Sequence, residues 1–268
     1  MCKIAILTQH NAETLQDTVT KVWTAMSKTE RDGFGAAWLT PRGTISWIKS
    51  SSPKQGEILP DFFEGFTEGR FTRSNGGPLL IHARTATCDV NAENTHPMLV
   101  ANTALIHNGV VSSERFKNTE TSCDSELLTH AFRQGGVEAL EKDISGYYAF
   151  ALLEALPRKE WTLDIVRDSR APLVGGLLPN NGLAFATNDT VLSATGARYC
   201  GKIKNNVHFR YQNGRHILTE EFSPKITISA TLQTSSQKAF GRESYDWPAR
   251  RPEPSTNWRQ LHLQPNLD

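Results

Sequence analysis

At 268 residues, with 38% hydrophobic and 21% charged positions, the chain is long enough to bury a full core in one large domain or two small ones. A net charge of +1 supplies neither the basic stripe of a nucleic-acid binder nor the polybasic patch of a membrane-surface protein. No apolar run reaches the ~18 residues of a membrane span and the first strand is too short for a signal-peptide core, so a cytoplasmic protein is expected.

The first apolar run, "CKIAILT", reads as a buried strand, and residues 12–28 carry a helical stripe of Leu15, Val19, Val22, Trp23 and Met26. "GFGAAWLT" and "TISWIKS", separated by "PRG", predict a hairpin. "PLLIHARTAT" and "TALIHNGVV" are two further strands. "SELLTHAFRQGG" predicts a helix with a Gly stop, followed by a short helical piece in "VEALEKDI". Then come "YYAFALLEAL", "LDIVRD", "PLVGGLL" and "LAFATN" as strands, with two or three more between Cys200 and Leu232. Many strands with a few helices outside them predict stacked sheets, not one open parallel sheet. We divide the chain into a domain over 1–233 and a Pro/Arg-rich irregular tail over 234–268.

Four widely spaced cysteines, Cys2, Cys88, Cys123 and Cys200, read as free thiols rather than as a disulfide framework or a zinc site. Cys2 stands apart from the other three. Once Met1 is removed, it carries a thiol and a free α-amine, a nucleophile and a base in one residue. Taken singly, the other polar residues at strand ends have plain structural readings. Asp124 fits a helix N-cap, Arg84 a paired half-buried arginine, and Asn108-Gly109 a hairpin turn, although no polar loop surrounds that dipeptide. His96 precedes Pro97 in a turn. Taken together they describe one ligand. Arg84 offers a fork for a carboxylate and Asp124 a counter-charge for an ammonium, which is the head group of a free α-amino acid. Asn108 and the Gly109 N–H are donors of the kind that hold an oxyanion.

The stretches "MC", "DGFGAAW", "HARTAT", "NTHP", "HNG" and "CDSELL", in this order, resemble the class II glutamine amidotransferase domains of the N-terminal-nucleophile hydrolase superfamily, in particular their stand-alone branch. The resemblance spans about residues 2 to 225. It implies an α+β fold, a four-layer αββα sandwich, that hydrolyses L-glutamine to glutamate and ammonia through a γ-glutamyl thioester on Cys2. It also implies Asn108 and Gly109 as the oxyanion hole, Arg84, Asp124, Thr87 and His96 as substrate-binding residues, and no cofactor or metal. Two positions depart from common relatives: Thr85 stands where Trp is usual in hexosamine-forming members, and Cys88 where His is frequent. About forty residues follow the resemblance, so the ammonia-accepting synthase is expected to be a separate partner. The alternatives are a stand-alone hydrolase of another γ-glutamyl amide, and a non-catalytic protein that keeps the fold for binding.

Overall fold

In the computed structural model, residues 2–10, 15–40, 42–51, 76–116, 119–179 and 181–224 are described; the expected tail over 234–268 lies outside them. The expected first strand is β1 (Lys3–Leu7), and the helical stripe becomes α1 (Leu15–Ser27). The predicted hairpin is β2 (Gly33–Leu39) and β3 (Ile45–Ser50), closed by Thr40 and Thr44. β4 (Leu79–Arg84), β5 (Met98–Val100) and β6 (Thr103–Ser112) follow. Next comes α2 (Ser125–Asp143), whose backbone leaves helical angles at Gly135 and Gly136, where the sequence predicts a stop between two helical pieces. β7 (Ser145–Ala155), β8 (Trp161–Arg167), β9 (Val174–Leu177) and β10 (Leu183–Ala186) match the block of strands. The chain then runs through α3 (Asp189–Ala194), β11 (Arg198–Lys202), β12 (Val207–Gln212) and β13 (Arg215–Glu221).

Two antiparallel sheets result. One has the order β11-β9-β10-β1-β4-β2-β3, the other β13-β12-β8-β7-β6-β5. Period-two alternation gives each sheet two apolar faces, so each needs cover on both sides. Ile4, Ile6, Leu80, Ala104, Ile106 and Ile165 fill the space between the sheets. On the outer face of the first sheet, α1 inserts Val19, Val22, Trp23 and Met26, all fully buried at helical spacing. The Trp23 ring meets Phe34 edge-on, with centroids 3.8 Å apart. On the outer face of the second sheet, α2 inserts Leu128, Ala131 and Phe132. The layers therefore run helix, sheet, sheet, helix, as the resemblance implies. Burying each such side chain contributes roughly 1.5–3 kcal/mol, which offsets the entropy of ordering the strands.

The first strand is central, lying between β10 and β4. Its start is anchored as well: the Ile4 N–H donates to Thr187 Oγ1 at 2.9 Å, and the Thr187 N–H donates back to the Ile4 carbonyl at 3.1 Å. An end that would otherwise fray is thereby held at the rim of the stack.

Candidate functional site

Alternation along three strands brings polar residues to one end of the seam between the sheets. Cys2 continues the face of Ile4 and Ile6, Arg84 that of Leu80 and His82, and Asn108 that of Ala104 and Ile106. Extending the Lys3–Ala83 register by one residue sets Cys2 opposite Arg84. The thiol donates to the Thr85 carbonyl at 3.5 Å. Burial pushes it up to about 11; the Thr85 contact opposes that rise, while the Glu30 and Asp124 carboxylates add to it.

Arg84 is 2% exposed. Its Nη2 donates to the Cys88 carbonyl at 3.2 Å, the Cys88 sulfur at 3.1 Å and the Asp89 carbonyl at 3.0 Å. Its Nη1 is buried and has no hydrogen-bond partner among the described residues. Asn108 is fully buried in the middle of β6, and both polar atoms of its amide are unpartnered among the described residues. The Asn-Gly pair is therefore not a hairpin turn. Its neighbour Gly109 sits at φ +154°, and a Cβ there would collide with the Tyr147 carbonyl. Only glycine fits this point of β6.

Asp124 occupies the N-cap position of α2 but makes no capping bond. Its Oδ2 instead accepts the Val111 N–H of β6 at 2.7 Å, and among the described residues its Oδ1 meets only the Ser125 hydroxyl at 3.5 Å and the Cys123 thiol at 3.9 Å. The plain helix-cap reading thus fails: the carboxylate is turned toward the sheet. Cys123 is buried beside it, and burial pushes its thiol up to about 12. All four cysteines are free.

The other two expected site residues lie apart. Thr87 is exposed on the loop after β4. His96 is 3% exposed and packs against the ring of His82 at a tilt of 35°, with centroids 4.0 Å apart; both its ring nitrogens are unpartnered among the described residues. His107 completes this cluster, 6.3 Å from His96, and its Nδ1 meets Ser125 Oγ at 2.9 Å. His82 Nε2 reaches the His107 carbonyl at 3.0 Å, joining β4 to β6 just behind Arg84 and Asn108. Burial lowers all three imidazoles, His82 to about 3, so they are neutral near pH 7. Gly35 explains the "DGFGAAW" stretch: a Cβ there would collide with the His96 carbonyl, so the glycine lets the "NTHP" segment lie directly on β2.

Sequence reasoning missed Glu30, which is 4% exposed in the turn between α1 and β2. It also missed Tyr147, whose ring lies under the Arg170 guanidinium at 5.9 Å. A single glutamate in "KTERDG" looks like any solvated turn charge, and no spacing marks it.

Two antiparallel sheets between helices, with a half-buried cysteine at the rim of a central first strand, define the N-terminal-nucleophile hydrolase fold. Residues 67–222 match the family model described as glutamine amidotransferase domain, and the chain belongs to that family. The match includes Arg84, Asn108, Gly109 and Asp124 and does not extend to Cys2. Among solved structures, the chain is similar to the glutamine phosphoribosylpyrophosphate amidotransferase of B. subtilis complexed with ADP and GMP, at 17% identity and a TM-score of 0.60 over 84% of this chain and 50% of that one. A structure described as the allosteric regulatory enzyme of purine biosynthesis is similar at 18% identity and a TM-score of 0.63, over 84% of this chain and 50% of the other. A glutamine aminotransferase class-II domain protein from Silicibacter pomeroyi is similar at 14% identity and a TM-score of 0.50, over 83% of this chain and 100% of that one. The chain thus spans half the length of the first two. No curated protein matches it. No helix among the described residues is long and apolar enough to cross a membrane.

Proposed function

We propose that this chain is a cytoplasmic glutaminase subunit that hydrolyses L-glutamine through Cys2 and passes the ammonia to a separate synthase. The observation that carries this reading is the set of buried, unpartnered polar atoms around the thiol: Arg84 Nη1 and both ends of the Asn108 amide. Leaving such groups without partners costs about 1–3 kcal/mol each, and a bound ligand recovers it. Arg84 Nη1 takes the α-carboxylate of glutamine, while Asp124 Oδ1, which holds only long contacts, takes the α-ammonium. The amide carbon then lies toward Cys2. We extend the binding role to Thr87, on the loop after Arg84, and to His96, behind it.

The reaction begins once Met1 is removed. The α-amine of Cys2, with an ordinary pKa of ~7.7–8.0, takes the thiol proton as sulfur attacks the amide carbon. Asn108 Nδ2 and the Gly109 N–H hold the oxyanion. The tetrahedral intermediate collapses, the amine returns its proton to the leaving nitrogen, and ammonia departs from a γ-glutamyl thioester. Water, deprotonated by the same amine, attacks the thioester and releases glutamate and the free thiol. Glutamine and water thus give glutamate and ammonia. The segment 234–268 is our candidate for recruiting the synthase.

Intact and peptide mass spectrometry with a γ-electrophilic glutamine analogue tests this. The expected result is a chain without Met1 carrying a single adduct on Cys2, blocked by excess L-glutamine and lost in Arg84→Ala. A processed chain that stays unlabelled but cleaves a bulkier γ-glutamyl amide replaces this reading with the stand-alone hydrolase. A chain with neither activity, alone or with candidate partners, leaves a binding protein that keeps the fold.

A further inference from the structure

We propose that Glu30 is a positioning residue for the Cys2 thiol, acting through Thr85; the inference rests on Cys2 being the nucleophile. Glu30 follows α1 in a short turn, where a carboxylate would ordinarily point into water. Here it is buried, and burying a carboxylate is costly unless its oxygens are satisfied. Three groups converge on it. The Thr85 hydroxyl donates to Oε2 in a short bond, the Thr29 hydroxyl donates to Oε1 at 2.8 Å, and Lys3 Nζ lies 3.6 Å from Oε1. Lys3 also donates to Thr29, which closes the network.

Two of these partners adjoin the reacting residue. Lys3 follows Cys2 in the chain, and the Thr85 carbonyl is the acceptor of the Cys2 thiol. The neighbouring turn residue Asp32 holds the peptides on either side of Thr85: its N–H donates to the Arg84 carbonyl at 3.0 Å, and its Oδ2 accepts the Ala86 N–H at 2.8 Å. Thr85 is therefore held by its side chain and on both flanks. Its carbonyl direction, and with it the rotamer of the thiol, is set from the α1–β2 turn. A sulfur aimed in this way starts close to its attack geometry, whereas a free rotor reaches it only a fraction of the time. The Arg84 guanidinium and the Asp124 carboxylate bond to other groups, so the grip on the amino-acid head group is not this network's task.

The test is a double-mutant cycle on the full chain, following Cys2 labelling by the γ-electrophilic glutamine analogue at several concentrations. Thr85→Val removes the hydroxyl at nearly constant shape and is expected to cut the maximal labelling rate roughly 10–100-fold. The half-saturating concentration is expected to stay within about two-fold, since ground-state binding is untouched. Thr85→Ser restores the hydroxyl and recovers most of the rate. Glu30→Ala reproduces Thr85→Val, and the double variant is no slower than either single one, because both break the same link. Thr85→Val labelling at the unaltered rate, or single effects that multiply in the double variant, overturns the inference alone. If Glu30→Ala does not fold, the Thr85→Val and Thr85→Ser pair still decides. An unlabelled Cys2 in the unaltered, processed chain overturns this inference and the proposed function together.

Discussion

The second sheet carries one buried polar cluster toward its β13 edge and shares another with β4 of the first sheet, and the two are built on opposite plans. On its α2 face, Asp164 Oδ1 accepts Arg210 Nε at 2.6 Å and meets His208 Nε2 at 2.7 Å, while His208 Nδ1 meets Glu220 at 2.6 Å. The ring of Phe132 packs edge-on against His208, with centroids 5.4 Å apart. None of these side chains has an orphaned buried atom. The other cluster lies around Arg84, Asn108, His82, His96 and His107, and every one of these residues has at least one buried polar atom without a partner among the described residues. A closed network braces β8, β12 and β13, whereas an open one stores unmet hydrogen-bonding capacity. Burial of polar groups alone does not mark a site; the proposed one rests on several orphaned atoms gathered on neighbouring strands.

Acid should separate the two regions most strongly. In the folded chain the three imidazoles of the open cluster are held below the ordinary value of 6.5, His82 at about 3, chiefly by burial. Between about pH 6.5 and 3 the unfolded chain therefore binds protons that the folded chain does not, so stability is intact above that window and falls as pH drops through it. His82 alone accounts for about 2 kcal/mol by pH 5. Urea midpoints measured at pH 7 and pH 5 should fall accordingly, and an unchanged midpoint breaks the contrast.

A second effect is catalytic. Asn108→Ala is expected to lower kcat for glutamine roughly 10²–10³-fold through the lost oxyanion donor, with KM little changed. Arg84→Lys keeps the charge but not the fork, and it should raise KM about ten-fold or more in steady-state assays. The smallest kinetic effect belongs to the closed cluster: His208→Ala should leave kcat/KM within about two-fold while costing about 1–3 kcal/mol in denaturant unfolding. Should His208→Ala alter kinetics more than stability, the division into brace and site would be wrong.

Much of this was legible from residue order alone. Apolar alternation in "KIAIL", "LLIHAR" and "YYAFALLEA" and the helical stripe of α1 specify the elements, because side-chain period follows directly from backbone geometry. The residue types at Cys2, Arg84, Asn108 and Asp124 are also the source of the roles proposed for them, as nucleophile, carboxylate fork, amide donor and ammonium acceptor. Sequence could not tell that Asp124 turns its carboxylate to Val111 instead of capping its helix, or that Asn108-Gly109 runs straight through β6 instead of turning. Nor could it separate Glu30 from the other acidic turn residues, or His96 from an exposed turn histidine. Those distinctions depend on what packs against a residue from another element, 13 positions away for Asp124 and Val111 and 55 for Glu30 and Thr85. Local sequence thus determined the strands, the helices and the chemical parts, whereas the tertiary structure decided which polar atoms find partners and which are left open, because desolvation is a property of the assembled layers.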